Sequence, residues 1–126
     1  MRLGGPLFGD GIRNPQTWGA LVRSSGYGTA YAPCPVEADD ATVSAFRKAA
    51  KEHDVIIAEV GAWSNPISVS ETERKAAEAK CIAALAHAER LGAVCTVNIA
   101  GSRVPDGFNA AGISINVVRK ALESVK

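Results

Sequence analysis

The sequence predicts an α/β fold with a parallel sheet, from three observations. Apolar runs alternate with amphipathic helical segments four times along the 126 residues. Two of the runs, V-I-I-A-E-V-G-A-W-S-N-P at 55–66 and A-V-C-T-V-N-I-A-G-S-R at 93–103, are rich in β-branched residues. Both end abruptly in small and polar residues, as strands do when they deliver side chains to an active-site rim. We expect four βα units with right-handed crossovers, in a single domain over residues 1–126.

The first unit begins with a short strand at 1–8, which its glycines weaken. Asn14 is expected to cap the helix that follows. Pro15 is expected at the first helical position, where the missing N–H of proline costs nothing. Gly26 is expected to end this helix.

The second and third strands are expected at 28–33 and 55–62. The helix between them is capped by Asp39 or Asp40, and its apolar residues recur at helical spacing. This helix completes the second unit, and the third strand follows it directly.

The third helix has the strongest local signals. Ser70 and Glu73 form a capping box, in which each side chain satisfies a free backbone N–H of the other residue, and Gly92 ends the helix. The fourth strand is expected at 93–100, followed by a loop and a final helix at about 114–125.

Composition limits the partners. Apolar residues make up 47% of the chain, which is enough to build a core, and the net charge is only +1 with scattered basic residues. This balance argues against nucleic acid and against anionic membrane surfaces as partners. No apolar run approaches the roughly 18 residues of a transmembrane helix. The N-terminus shows no cleavage-site pattern, so we expect a mature, cytoplasmic protein.

The three cysteines are widely spaced and include no C-x-x-C pair. Cys81 and Cys95 lie at apolar positions and are expected to be buried as small hydrophobes. Cys34, near a strand end, is expected to reach solvent, with a reactive-thiol role as its alternative. His53 and His87 are expected on solvated helix surfaces, outside any metal-ligand cluster.

Polar side chains follow the apolar parts of the third and fourth strands. Strict alternation puts Glu59 on one face of its strand and groups Thr96 with Asn98, whereas Cys95 belongs to the apolar set that should face helices. Glu59 and Asn98 are therefore expected to point into a common interior, where ligands of parallel sheets bind. They either hydrogen-bond a polar substrate or satisfy each other and nearby loop backbone.

The loops after these strands supply further candidates. Trp63 either stacks on a sugar face or covers the mouth of the fold, and Asn65 with Pro66 is first a turn signal. Ser102 and Arg103 follow the fourth strand. Arg103 either grips a phosphate or carboxylate bidentately or forms a surface salt bridge.

In the stretches A-E-V-G-A-W-S-N-P and V-N-I-A-G-S-R, the chain resembles the sugar phosphate isomerase/epimerase family, the xylose-isomerase-like TIM-barrel group related to the endonuclease IV fold. The resemblance extends over about 1–103 and implies a (βα)4 half-barrel like the N-terminal half of a TIM barrel. It identifies the superfamily more specifically than the substrate.

The resemblance also implies a divalent metal, Mn²⁺, Mg²⁺ or Co²⁺, for a full-length family member. Family members bind it through carboxylates and a histidine and use two glutamates for proton transfer, mainly on strands of the second half. No metal ligand and no catalytic base can be transferred to this chain. The residues that carry over are substrate-binding: Glu59, Trp63, Asn65, Asn98, Ser102 and Arg103.

Two hypotheses of function follow. In the first, the chain is a sugar phosphate isomerase/epimerase-like protein, truncated or half-length and inactive alone, so that its status as an enzyme stays open. In the second, it is a non-catalytic self-assembling half-barrel or sugar-binding remnant. Because four strands would leave two open edges and an exposed inner face, we expect two chains to associate around a shared core.

Overall fold

The computed structural model of the chain describes residues 1–99 and 101–103. Within those residues, three α-helices and a three-stranded parallel sheet follow one another in an α/β arrangement, after a short 3-10 helix at Asp10–Arg13. The elements, in chain order, are α1 Pro15–Ser24, β1 Thr29–Tyr31, α2 Asp40–Glu52, β2 Ile56–Gly61, α3 Glu71–Leu91 and β3 Cys95–Val97. The predicted helix at about 114–125 lies outside the described residues.

The first two helices begin where the sequence predicts. The Asn14 side chain accepts a hydrogen bond from the Gln16 backbone N–H at 2.9 Å, and Pro15 is the first helical residue. At the start of α2, Asp39 rather than Asp40 is the cap. Such caps satisfy backbone donors that have no partner within the helix.

The predicted capping box of α3 is formed with a third residue. Ser70 Oγ accepts from the backbone N–H of Glu73 at 3.4 Å, as expected. The Glu73 carboxylate instead accepts from Ser68 Oγ at 2.7 Å, and Ser68 Oγ accepts from the Ser70 backbone N–H at 3.1 Å. At the other end, Gly92 adopts a φ of 70°, a left-handed conformation that favours glycine.

The strand order is β1-β2-β3, with every pairing parallel. The strand expected at 1–8 is wrong in extent: a single parallel bridge joins Gly4 to Thr29, and Leu3 O accepts the backbone N–H of Gly28. The four-unit half-barrel therefore stays a prediction.

The faces of the sheet differ from strict alternation. Ala30 pairs with Ile57 but the next residue, Tyr31, pairs with Glu59, so β2 carries one extra residue at this point. This is a β-bulge, which breaks the period of two. Across the sheet, Tyr31, Glu59 and Cys95 form one row.

The sorting expected for β3 is the reverse of the observed one. Thr96 pairs with Val60, which is buried, and its hydroxyl donates to Ala84 O on α3 at 3.4 Å. The face of Thr96 is thus the helix-covered one. Cys95, which was expected to face helices, is exposed on the side of Glu59.

The chain divides into two compact units. The first unit is Met1–Gly61 with Ala83–Val97, and the second is Ala62–Ile82 with Asn98–Lys126. The largest buried side chains of the first unit are Trp18 and Phe46, whose rings meet edge to face at 5.7 Å. Among the described residues of the second unit, the buried ones are Ala62, Ile67, Ser68 and Ala77.

Among the described residues, every helix is too short or too polar to cross a membrane.

Candidate functional site

The candidate site lies in the second unit, where hydrogen bonds join two polar loops. Ser64 donates from its backbone N–H to Asn98 Oδ1 at 2.8 Å, and its hydroxyl donates to the same oxygen at 3.4 Å. Both residues are half-buried. Asn98 therefore satisfies loop backbone, which was the second of its two predicted roles.

The Asn65 side chain makes a second set of hydrogen bonds between the loops. Its Nδ2 donates to Ser102 O at 2.8 Å, and its Oδ1 accepts from the Ser102 backbone N–H at 3.1 Å and from that of Ile67 at 3.3 Å. Gly101 adopts a φ of 76°, and a Cβ there would collide with the Asn65 side chain. Glycine at this position is what lets the loop approach the amide. Asn65 and Ser102 thus position the loops.

Beside these loops is a groove of about 350 Å³ on the first turns of α3. Its surface is mainly apolar, and three of its lining residues have polar side chains: Ser64, Glu73 and Lys80. Glu73 keeps Oε1 free of hydrogen bonds among the described residues, because Ser68 donates to Oε2. A hydroxyl, a carboxylate and an ammonium group thus belong to residues of one groove. Its lining residues are Ser64, Asn65, Glu73, Ala76, Ala77 and Lys80.

Trp63 precedes the groove residues in the chain. Its carbonyl accepts from Lys80 Nζ at 3.3 Å, its ring is 57% exposed, and its φ is 40°. A non-glycine residue in the left-handed region is strained by about 1 kcal/mol or more and is held there by its surroundings. Arg103, next to Ser102, is exposed and has no ion pair among the described residues. The alternative role of Arg103 as one half of a surface salt bridge therefore has no partner there.

Glu59 belongs to the first unit. It is half-buried on β2, and no hydrogen-bond or ion-pair partner reaches its carboxylate within residues 1–99 and 101–103. A carboxylate that gives up water without gaining a partner is costly, so this group is open to a ligand. Its expected place beside Asn98 stays a prediction.

A metal of the kind that the resemblance implies needs several nearby donors. In the described part of the chain, no three His, Cys, Asp or Glu side chains lie close enough to hold a metal ion together. The described residues therefore do not fit such a site.

Cys34 and His87 form a buried pair, which corrects both expectations of exposure. His87 is 1% exposed, and its Nε2 donates to Cys34 O at 3.1 Å, with Cys34 Sγ 3.9 Å away. Because Nε2 carries that proton, it is not a base toward the thiol. Burial also raises the pKa of Cys34, against the opposing charge of Arg90, so the thiol stays protonated. The reactive-thiol role is therefore unsupported.

Three polar groove residues were not predicted as site residues: Ser64, Glu73 and Lys80. Glu73 and Lys80 lie seven positions apart on α3, with Ala77 between them at helical spacing, so all three share one stripe of the helix. That stripe was the available signal. The capping role of Glu73 obscured it.

Comparison of the sequence with protein families and with curated proteins yields no match. Membership of the isomerase/epimerase family is accordingly a proposal.

Proposed function

We propose that the chain is a sugar phosphate isomerase/epimerase-like protein whose second unit binds a sugar phosphate in the groove beside α3. The observation that carries this proposal is the groove itself. Its walls include the loop at Ser64 and Asn65, within the first of the two motifs that resemble the family, and the second motif is hydrogen-bonded to that loop through Asn98 and Ser102.

The lining groups suit a phosphorylated polyol. Sugar hydroxyls both donate and accept hydrogen bonds. The Glu73 carboxylate and the lone pairs of the Ser64 hydroxyl can accept them, and the Lys80 ammonium can donate. Lys80 supplies a point charge for phosphate, a common use of lysine. The exposed ring of Trp63 offers an apolar face on which the C–H groups of a sugar can stack.

The proposed role of the described residues is binding without turnover. Proton transfer next to a carbonyl needs a base at the carbon and an acid at the carbonyl oxygen. Among the described groove residues, Glu73 is the one carboxylate, and Ser68 holds it by a 2.7 Å hydrogen bond. The cytoplasmic location expected from the sequence remains part of this proposal.

Titration of the full chain with ribose 5-phosphate, followed by backbone amide NMR, tests the binding. Shifts are expected for Ser64, Asn65 and the α3 residues around Ala77, with xylose and inorganic phosphate binding more weakly. Lys80→Gln is expected to lower the affinity for ribose 5-phosphate roughly tenfold, the effect of losing one charge-assisted contact. In a separate assay with added Mn²⁺, ketose–aldose conversion is expected to be absent.

Lys75→Gln is the matched control. Lys75 lies on the same helix but pairs with Glu71 at 2.8 Å, away from the groove lining. The Lys75→Gln variant should bind ribose 5-phosphate with the affinity of the parent chain. Equal losses in the two variants, or no shifts at millimolar ligand, would refute the groove as a sugar phosphate site. Conversion of the sugar would refute binding without turnover.

A second observation favours self-association. The face of the sheet that carries Tyr31 and Cys95 is exposed: Tyr31 is 52% exposed, and Ile56, on the same face, is 39% exposed. We propose that a second copy of the chain covers this face, as expected for two half-barrels.

Sedimentation velocity at micromolar concentration tests the association. A dimer is expected for the parent chain and a monomer for Ile56→Lys, because a charge at the centre of the interface would be buried without a partner. Ile82→Lys, at a 56% exposed isoleucine on α3, is the control and should remain dimeric. A stable, well-folded monomer of the parent chain would count decisively against the proposal.

A further inference from the structure

The first unit contains a separate cavity of about 220 Å³ at the carboxyl end of β1. Parallel sheets bind ligands at this end of their strands. The cavity is lined by Gly5, Leu7, Ile12, Arg13, Trp18, Tyr31, Ala32 and Pro33. None of these residues was singled out for function by the sequence.

The walls of the cavity are mainly apolar. Its apolar lining residues include Leu7, Ile12 and Trp18, of which Trp18 is 1% exposed. An apolar cavity of about 150 Å³ is enough to hold benzene. A volume of about 220 Å³ therefore accommodates one aromatic ring with a small substituent.

Arg13 and Tyr31 are the lining residues with a charged group and a hydroxyl. Neither the Arg13 guanidinium nor the Tyr31 hydroxyl has a hydrogen-bond or ion-pair partner among residues 1–99 and 101–103. Both side chains are exposed. An unpaired guanidinium beside an apolar cavity is suited to a carboxylate, which it holds by two parallel N–H···O bonds.

We propose that this cavity binds a small aromatic carboxylate, with the ring against Trp18 and the carboxylate on Arg13 and Tyr31. Arg13 is the only charged residue among those that line the cavity. One guanidinium neutralises a monoanion, whereas a phosphate ester with nearly two charges would remain partly uncompensated.

Tryptophan fluorescence tests the proposal directly. The chain has two tryptophans, so Trp63→Phe leaves Trp18 as the only reporter. Titration of this variant with benzoate is expected to change the Trp18 emission saturably. Benzamide, of the same shape but uncharged, should bind roughly tenfold more weakly, and Arg13→Gln should remove the difference between the two ligands.

Arg47→Gln is the control, since Arg47 is an exposed arginine on α2 that does not line the cavity. It should retain the preference for benzoate. The titration is repeated in Ile56→Lys, so that a second copy on the sheet face does not decide the result. No saturable change in either background, equal affinity for benzoate and benzamide, or an undiminished preference in Arg13→Gln would overturn the proposal. Each of these results is independent of ribose 5-phosphate binding by the second unit.

Discussion

Different kinds of interaction stabilise each of the two units of this chain internally. The first unit has an apolar core, in which Trp18, Val22 and Phe46 are each at most 1% exposed. The second unit relies on side chains that bond to loop backbone, above all Asn65 and Asn98. Apolar burial is non-directional and scales with area, whereas hydrogen bonds fix atoms at set positions.

This difference separates stability from positioning. A unit built on apolar burial tolerates the exchange of one surface group for another. It loses the most stability when a core side chain is truncated. A unit built on hydrogen bonds to backbone contributes less free energy for each contact but fixes the geometry of its loops. The groove proposed to bind sugar phosphate lies in the second kind of unit.

Removal of a core ring is expected to have the largest effect. Phe46→Ala removes a ring that is 1% exposed, and with it the edge-to-face contact with Trp18. The expected loss in the free energy of unfolding is about 3–5 kcal/mol, a large part of the stability of an ordinary domain. Urea unfolding followed by circular dichroism measures it.

Phe8→Ala is the matched control, because Phe8 is 81% exposed. Its effect should stay within about 0.5 kcal/mol of zero. Similar losses in the two variants would contradict the description of the first unit as a unit held by its core.

Truncation of the loop amide is expected to have a smaller and more local effect. Asn65→Ala removes three hydrogen bonds of the side chain, to Ser102 O and from the backbone N–H groups of Ile67 and Ser102, at a cost of about 1–3 kcal/mol. Hydrogen exchange at the amides of Ile67 and Ser102 should accelerate accordingly. Asn65→Asp, which keeps the accepting oxygen and loses the donor, should lie between Asn65→Ala and the parent chain. Unchanged protection of these amides in Asn65→Ala would show that packing, rather than the side chain, positions the loops.

What the sequence predicts correctly in this fold is local. The caps at Asn14 and Asp39 and the helix stop at Gly92 each depend on a few neighbouring residues, and each is confirmed. The alternation of strand and helix signals likewise predicts the parallel α/β arrangement, since a crossover helix between strands leaves few other solutions. The turn signal at Asn65 is of the same local kind.

What the sequence missed depends on contacts between distant parts of the chain. Strict alternation failed on β2 because the bulge opposite Tyr31 is set by pairing with another strand. His87 is polar in isolation, but it lies three residues after Ala84 and four before Leu91, on the buried stripe of α3. Its burial depends on the Cys34 carbonyl, 53 positions away. For the same reason the sequence does not single out Lys80, which lines the groove.

The smallest expected effect concerns a polar contact of the first unit that lies outside its core. Arg2 donates to Asp54 at 2.9 Å, and this hydrogen bond, with the charge of Arg2, lowers the pKa of Asp54 below its ordinary value. A carboxyl whose pKa is lower in the folded than in the unfolded state contributes stability above the unfolded pKa, about 3.9, and loses it as the pH falls through the folded one. Asp54→Asn should therefore be slightly less stable than the parent chain at pH 7, with the difference disappearing in strong acid and shrinking in high salt.

Asp10→Asn, which removes an exposed carboxylate without an ion pair among the described residues, is the control for denaturation measured from pH 7 to pH 2. A difference for Asp54→Asn that persisted below the folded pKa would show that the carboxylate acts through the backbone conformation at Asp54, whose φ is 50°, rather than through its charge.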